Sequence, residues 1–344
     1  MIRDVKIFIS TFIIVLFLQS CYKEAIIFDS EPSALLELPL ILKFDDKDCM
    51  FDSEMNLLRY PISSDSILNF SPFTEFQESS EVFFNSVKLN NYQTNGLGNI
   101  RVNKKYNLKI KSGDSEKNID LVFTNLPVIQ IINDSKIYEE PKSLARIKIN
   151  TPEIENTFSS FIGIEYRGKY SRIYKKRSLG FSLWKKMVST ETYPANLLGG
   201  ISNTDWILTA AFNDPSRIRN LVSFEIWENL DSLQDEIHGN HAGIHCQPAE
   251  VFLNNNFRGL YLFSGLVNHE MLNLDEGAVL YKANDWAAGA TKFESFDPEI
   301  SSNKYWNGWE QKFPDSKELI NWEPLNELYE LVVNGTDEDF TNNI

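Results

Sequence analysis

Residues 162–186 bring together the side chains best suited to chemistry. The segment holds eight bases (Arg167, Lys169, Arg172, Lys175, Lys176, Arg177, Lys185 and Lys186) against one acid, Glu165, in a chain of net charge -15. A basic island in an acidic protein is a candidate site for something anionic. Gly168 would let the connection bring backbone N–H groups close to an anion. On charge alone, however, a solvated basic hairpin explains the same residues. Of the four histidines, His238, His241 and His245 sit beside Cys246. These types can bind zinc, but the spacing matches no zinc pattern and no carboxylate cluster adjoins, so the expectation is polar loop residues and no metal.

The elements that must position the island follow from periodicity. Ile162, Ile164 and Tyr166 alternate, as do Leu179, Phe181 and Leu183, which predicts a hairpin with the bases in and around its connection. Asp205–Leu208 reads as a short strand. Asn213-Asp214-Pro215 is a helix-start signal, and Ile218, Val222, Ile226 and Leu230 form an i, i+4 row, predicting a helix buried on that side. Residues 249–253 and 259–263 flank Asn254-Asn255-Asn256 as a second hairpin. Between Leu36 and Ile132, short alternating runs separated by Asn, Gly and Asp turns predict a small β-sandwich, a spacer or binding module. A hydrophobic content of 42% allows large cores, and the acidic balance excludes general nucleic-acid binding. Three cysteines are too few for a disulfide framework.

Arg3 and Lys6, the apolar run to Leu18 and the ending Leu18-Gln19-Ser20-Cys21 read as a secretory signal too short for a comfortable membrane span. The ending resembles a bacterial lipobox. Cys21 would then be the lipid-modified first residue, anchoring the protein at the cell envelope, on the outer membrane or surface.

Four ordered segments resemble the CotH family, named for a spore-coat protein and related to atypical protein kinases. They are Arg167-Gly168 with Ser171-Arg172 and Lys175-Lys176; Asp205-Trp206-Ile207-Leu208 with Asp214-Pro215-Ser216 and Arg219-Asn220; Val251-Phe252-Leu253-Asn254 with Gly259-Leu260-Tyr261-Leu262; and Tyr281-Lys282, with a weaker echo at 310–314. With the N-terminal readings above, the resemblance makes the chain α+β: a signal (1–21), a tether and β-sandwich module (22–125) and, as the resemblance implies, an incomplete kinase-like domain (126–344). It implies binding of ATP with magnesium. Arg167, Gly168 and Ser171 would cover the phosphates, Lys176 or Lys175 would contact them, Glu225 would pair with that lysine, and Tyr261–Val267 would be the strand and hinge beside adenine.

Two departures qualify this. Gly265 stands where family members usually have a glutamate. The Trp-Asp-x-Asp segment that carries the family's metal-binding aspartates, and its catalytic aspartate, do not occur before Ile344; Asp285, Asp337 and Asp339 sit in loop or helix-start contexts. The expectation is a nucleotide-binding region without catalytic residues, from a truncated frame or a pseudoenzyme, so no catalytic residue is assigned. The alternative is a non-enzymatic surface protein holding an anionic polysaccharide or acidic protein partner, or a structural envelope lipoprotein.

Overall fold

Short apolar runs that alternate with polar residues can satisfy their backbones only by pairing, and the chain does so almost throughout. The computed structural model describes residues 42–153, 157–168, 170–187, 189–238, 243–275, 277–284, 291, 303–315 and 319–343. The signal, the tether, Cys21, Lys169, His241 and Asp285 lie outside the described residues.

Twelve strands precede residue 125 among the described residues. They are β1 (Lys43–Phe44), β2 (Lys47–Asp48), β3 (Met50–Asp52), β4 (Leu57–Pro61), β5 (Ser66–Phe70), β6 (Phe73–Glu75), β7 (Ser80–Phe84), β8 (Val87–Lys88), β9 (Gln93–Thr94), β10 (Gly98–Arg101), β11 (Lys105–Ser112) and β12 (Ser115–Thr124). They form a sheet of order β3-β4-β12-β11-β7-β8, a smaller one of order β2-β1-β6-β9, and the pair β10-β5. Asn56, Asn69, Asn85 and Asn103 turn the chain with left-handed backbone, which asparagine tolerates better than most residues. One core joins these sheets. Phe123 is fully buried at its centre, its ring 5.5 Å from Tyr106, 5.6 Å from Phe70 and 6.1 Å from Tyr60. The arrangement is consistent with the expected β-sandwich.

Eight further strands build a second core: β13 (Val128–Ile132), β14 (Ser143–Asn150), β15 (Thr157–Arg167), β16 (Ser178–Lys186), β17 (Ser189–Thr192), β18 (Asp205–Thr209), β19 (Cys246–Leu253) and β20 (Asn256–Gly265). Their order is β15-β14-β13-β19-β20-β18-β16-β17, and β15 also pairs with β16. Seven strands therefore close into a ring, with β17 added to β16 outside it. Only β13 and β19 run parallel; the other junctions are antiparallel. Alternate residues fill the interior: Ile129 and Ile131, Ile147 and Ile149, Ile162 and Ile164, Leu179, Phe181 and Leu183, Trp206 and Leu208, Tyr261 and Phe263. Asn254 and Asn255, both at positive φ, make the tight turn between β19 and β20.

Among the described residues helices are few: α1 (Arg219–His238), α2 (Glu323–Tyr329) and α3 (Asp337–Asn343). The chain is β-rich, where α+β was expected. The helix after Asp214 forms, but starts at Arg219; before it, the Asp214 carboxylate accepts the N–H groups of Ser216 at 3.0 Å and Arg219 at 3.1 Å. Its expected buried row is corrected. Ile218, Val222, Ile226 and Leu230 are 50%, 43%, 56% and 55% exposed. Leu221 and Phe224 are half-buried instead. A closed barrel turns its apolar side chains inward, so its outer wall offers that row little to pack against. Beyond β20, β21 (Leu280–Ala283), β22 (Tyr305–Trp306) and β23 (Trp309–Phe313) form a small sheet, order β21-β23-β22, with Trp306, Trp322 and Leu325 as its core.

The sandwich and the barrel are joined by polar contacts around a small apolar cluster of Met50, Val128 and Phe252. Lys47 is buried and donates to the carbonyls of Thr151, at 2.7 Å, and Glu153; burial pushes its pKa down. Arg59 pairs with Glu250 at 2.9 Å, both side chains largely buried, and its guanidinium lies 4.2 Å over the Phe257 ring. Burial raises the pKa of Glu250, against the pull of Arg59. Arg59→Ala would strand the Glu250 charge. It is expected to cost about 3–5 kcal/mol, as breaking a buried pair does, whereas Arg59→Met with Glu250→Leu retains most of the stability. Urea denaturation of the three proteins checks this, and wild-type stability in Arg59→Ala would contradict it.

Candidate functional site

The alternation that fills the barrel also decides what faces outward. With Ile164 and Tyr166 inside, Glu165 and Arg167 stand on the outer wall. With Leu179 and Phe181 inside, Ser178 and Gly180 face out, and with Trp206 and Leu208 inside, Asp205, Ile207 and Thr209 do. These residues form one wall of a cleft of about 630 Å³. Gly265 to His269, leaving the end of β20, make its back edge. Leu280, Tyr281 and Lys282 from β21 and Lys312 from β23 close the far side, and Lys142, just before β14, enters from the barrel side.

Two glycines keep the cleft open. A side chain at Gly180 would place its Cβ 3.2 Å from the Glu165 carboxylate. Gly168 takes φ 104, and a Cβ there would fall 2.0 Å from the Ser171 hydroxyl. The turn carrying Arg167, Gly168 and Ser171 therefore requires glycine both for conformation and for space.

Charge in the cleft is largely pre-positioned. Lys142 donates to Asp205 at 2.8 Å and to Ser182; Ser182 and Thr204, the latter at 3.0 Å, also donate to Asp205. Burial works against the Asp205 carboxylate, but the Lys142 charge and these hydrogen bonds hold its pKa below the usual range. Burial raises Glu165, with Lys142 opposing, and lowers Arg167, with Glu165 and Asp205 opposing. Lys282 is lowered by burial, by Lys312 and, across the cleft, by Arg167, with Glu310 opposing. Glu310 accepts from Asn284 at 2.8 Å and Lys312 at 3.2 Å. Four cations from two walls thus meet over one space with an apolar back. That chemistry suits a polyanion with a flat apolar end.

Of the residues singled out from sequence, Arg167, Gly168 and Ser171 line the cleft, as do Gly265, Leu266 and Val267 of the expected hinge. Lys175, Lys176, Glu225 and Tyr261 do not. Lys175 and Glu225 are exposed. Tyr261 is 4% exposed in the barrel core, its hydroxyl donating to the Arg177 carbonyl at 3.2 Å. Lys176 donates to the Leu260 carbonyl and lies 4.1 Å over the Tyr261 ring. The other bases disperse: Arg172 pairs with Glu139, and Lys185 with Glu191. Arg219 pairs with Asp214 at 3.5 Å on the surface, and Trp206 is core. Sequence reasoning passed over Lys142, which stands alone after Pro141, and assigned no charge role to Asp205, Lys282 or Lys312.

His245 faces Glu228 at 3.4 Å, and burial beside Glu225 and Glu228 pushes the Cys246 thiol up to about 12. Among the described residues no three His, Cys, Asp or Glu side chains gather as metal ligands.

Lys176 generates a pH prediction. Burial, with Arg217 nearby, lowers its pKa to about 8. The unfolded chain would keep that proton up to about pH 10.4. Above pH 8 the unfolded state therefore binds more protons, and stability rises with pH through this window. Urea midpoints of wild type relative to Lys176→Met are expected to climb between pH 8 and 10; a flat difference would contradict the buried position.

A family model described as CotH kinase protein matches residues 164–344, more than half of the chain. The matched span contains every cleft residue named above except Lys142. No curated protein matches the chain. The chain belongs to the CotH kinase protein family.

Proposed function

We propose that the cleft is the nucleotide site of a kinase-like domain and takes ATP with magnesium. The observation that carries this is the convergence of Lys142, Arg167, Lys282 and Lys312 on a cleft of about 630 Å³ backed by Ile207, Val267 and Leu280. A triphosphate needs positioned cations, and adenine needs a flat apolar slot beside a strand end; the lining offers both. Arg167 supplies a bidentate fork, and Lys282 and Lys312 reach from the opposite wall. Lys142, held by Asp205 and Ser182, takes the phosphate-contacting role expected of Lys176. Gly265–Val267 flank the base. On this reading the protein works at the cell envelope, anchored through a lipid on Cys21; the signal-like N-terminus supports that.

Among the described residues two carboxylates face the cleft, Glu165 and Asp205, and both are set among cations. A kinase needs such groups free for a base and for metal. The proposal is therefore nucleotide binding without phosphoryl transfer by this chain alone.

Calorimetry with Mg-ATP is expected to show binding that Lys142→Met weakens about tenfold or more, the worth of one charged hydrogen bond. Lys176→Met leaves it within a factor of about two, being outside the cleft. Adenosine binding is expected to be indifferent to both variants. Absence of ATP binding by folded wild-type protein would overturn the reading. Incubation with radiolabelled ATP is expected to leave the protein unlabelled; steady labelling lost in Asp205→Asn would contradict the role given to that carboxylate.

A further inference from the structure

The outer barrel wall carries a second feature on the same strands, about 13 Å along β15 from Glu165 at four residues' rise. Arg146, Phe161, Trp184 and Thr192 stand opposite one another on β14, β15, β16 and β17, a cross-strand row on the outer face. Arg146, Phe161 and Trp184 line a groove of about 410 Å³, together with Ser159, Ser160, Lys185 and Tyr193.

The groove is built from the sheet itself. At Gly163 a Cβ would meet the Trp184 ring at 2.2 Å, so the missing side chain lets the indole lie flat along β15. Tyr193 is tied down by donating to Ser160 at 2.7 Å. The Arg146 guanidinium lies 5.3 Å from the Phe161 ring centroid and has no carboxylate partner among the described residues. Its neighbours along the wall, Lys148 and Lys185, are instead matched by Asp48 and Glu191. The result is one free planar cation on an aromatic floor, with the Ser159 hydroxyl exposed at the rim.

We propose that this groove binds an acidic sugar, a uronic acid unit within a glycan chain. A guanidinium fork accepts a carboxylate bidentately. Aromatic side chains pack against the C–H face of a sugar ring, and a rim serine suits its hydroxyls. An acidic peptide would use Arg146 but has no need of the aromatic pair Phe161 and Trp184 beside it, so the lining favours the sugar. The site is independent of the nucleotide cleft.

Affinity electrophoresis of the full chain tests it, in gels containing polygalacturonate, neutral dextran or poly-L-glutamate. Retardation is expected with polygalacturonate alone. Arg146→Met and Phe161→Ala are each expected to raise the dissociation constant about tenfold, the loss of one charged or stacking contact. Lys104→Glu, on the sandwich, leaves it unchanged. Circular dichroism melting confirms that each variant is folded. No retardation, equal retardation by poly-L-glutamate or by dextran, or an effect of Lys104→Glu as large as that of Arg146→Met would each overturn the proposal. So would wild-type binding by Phe161→Ala.

Discussion

Closure of the barrel is the constraint on which the other features rest. Because β15 pairs with both β14 and β16, the seven strands of the ring have no free edge, and none needs a helix or loop to cover it. Closure also sorts side chains absolutely. Each alternate residue is either in the dry interior or on the wall, and a one-residue slip would invert the whole set. Glu165, Arg167 and Asp205 are on the wall because Ile164, Tyr166 and Trp206 are inside. The same sorting leaves the Ile218–Leu230 row of α1 exposed, since little apolar surface remains outside to receive it.

On that wall, charge is arranged at a cost. Desolvation disfavours Arg167 and Lys282, yet both are kept at the cleft beside further cations, in a chain of net charge -15. Asp205 and Glu165 offset part of that cost and orient Lys142 and Arg167 before any ligand arrives. Lys176 shows the contrast: its ammonium is spent on the Leu260 carbonyl and the Tyr261 ring, which cap one edge of the barrel.

Legibility in the sequence followed the same division. Wherever a strand ran on both sides, parity was readable: Ile162, Ile164 and Tyr166 imply that Arg167 faces the other way, and it does. Parity gives no purchase on Lys175 and Lys176, which lie between the short 3₁₀ turn at Tyr170–Ile173 and β16. Lys142 and Asp205 are 63 residues apart, and only the register of β14, β15, β16 and β18 brings them to 2.8 Å. The helix row was legible as a row, but not which side the barrel would take. Periodicity pointed to strands for most of the chain and to a helix after Asp214; the kinase-like arrangement of the α+β expectation came with the resemblance.

Hydrogen–deuterium exchange with and without Mg-ATP tests the central claim most directly, because it reports where a nucleotide sits. Slower exchange is expected at 165–171, 264–269 and 280–283, three of the stretches that line the cleft. Protection confined to 174–177 and 258–261, around Lys176, would contradict the account.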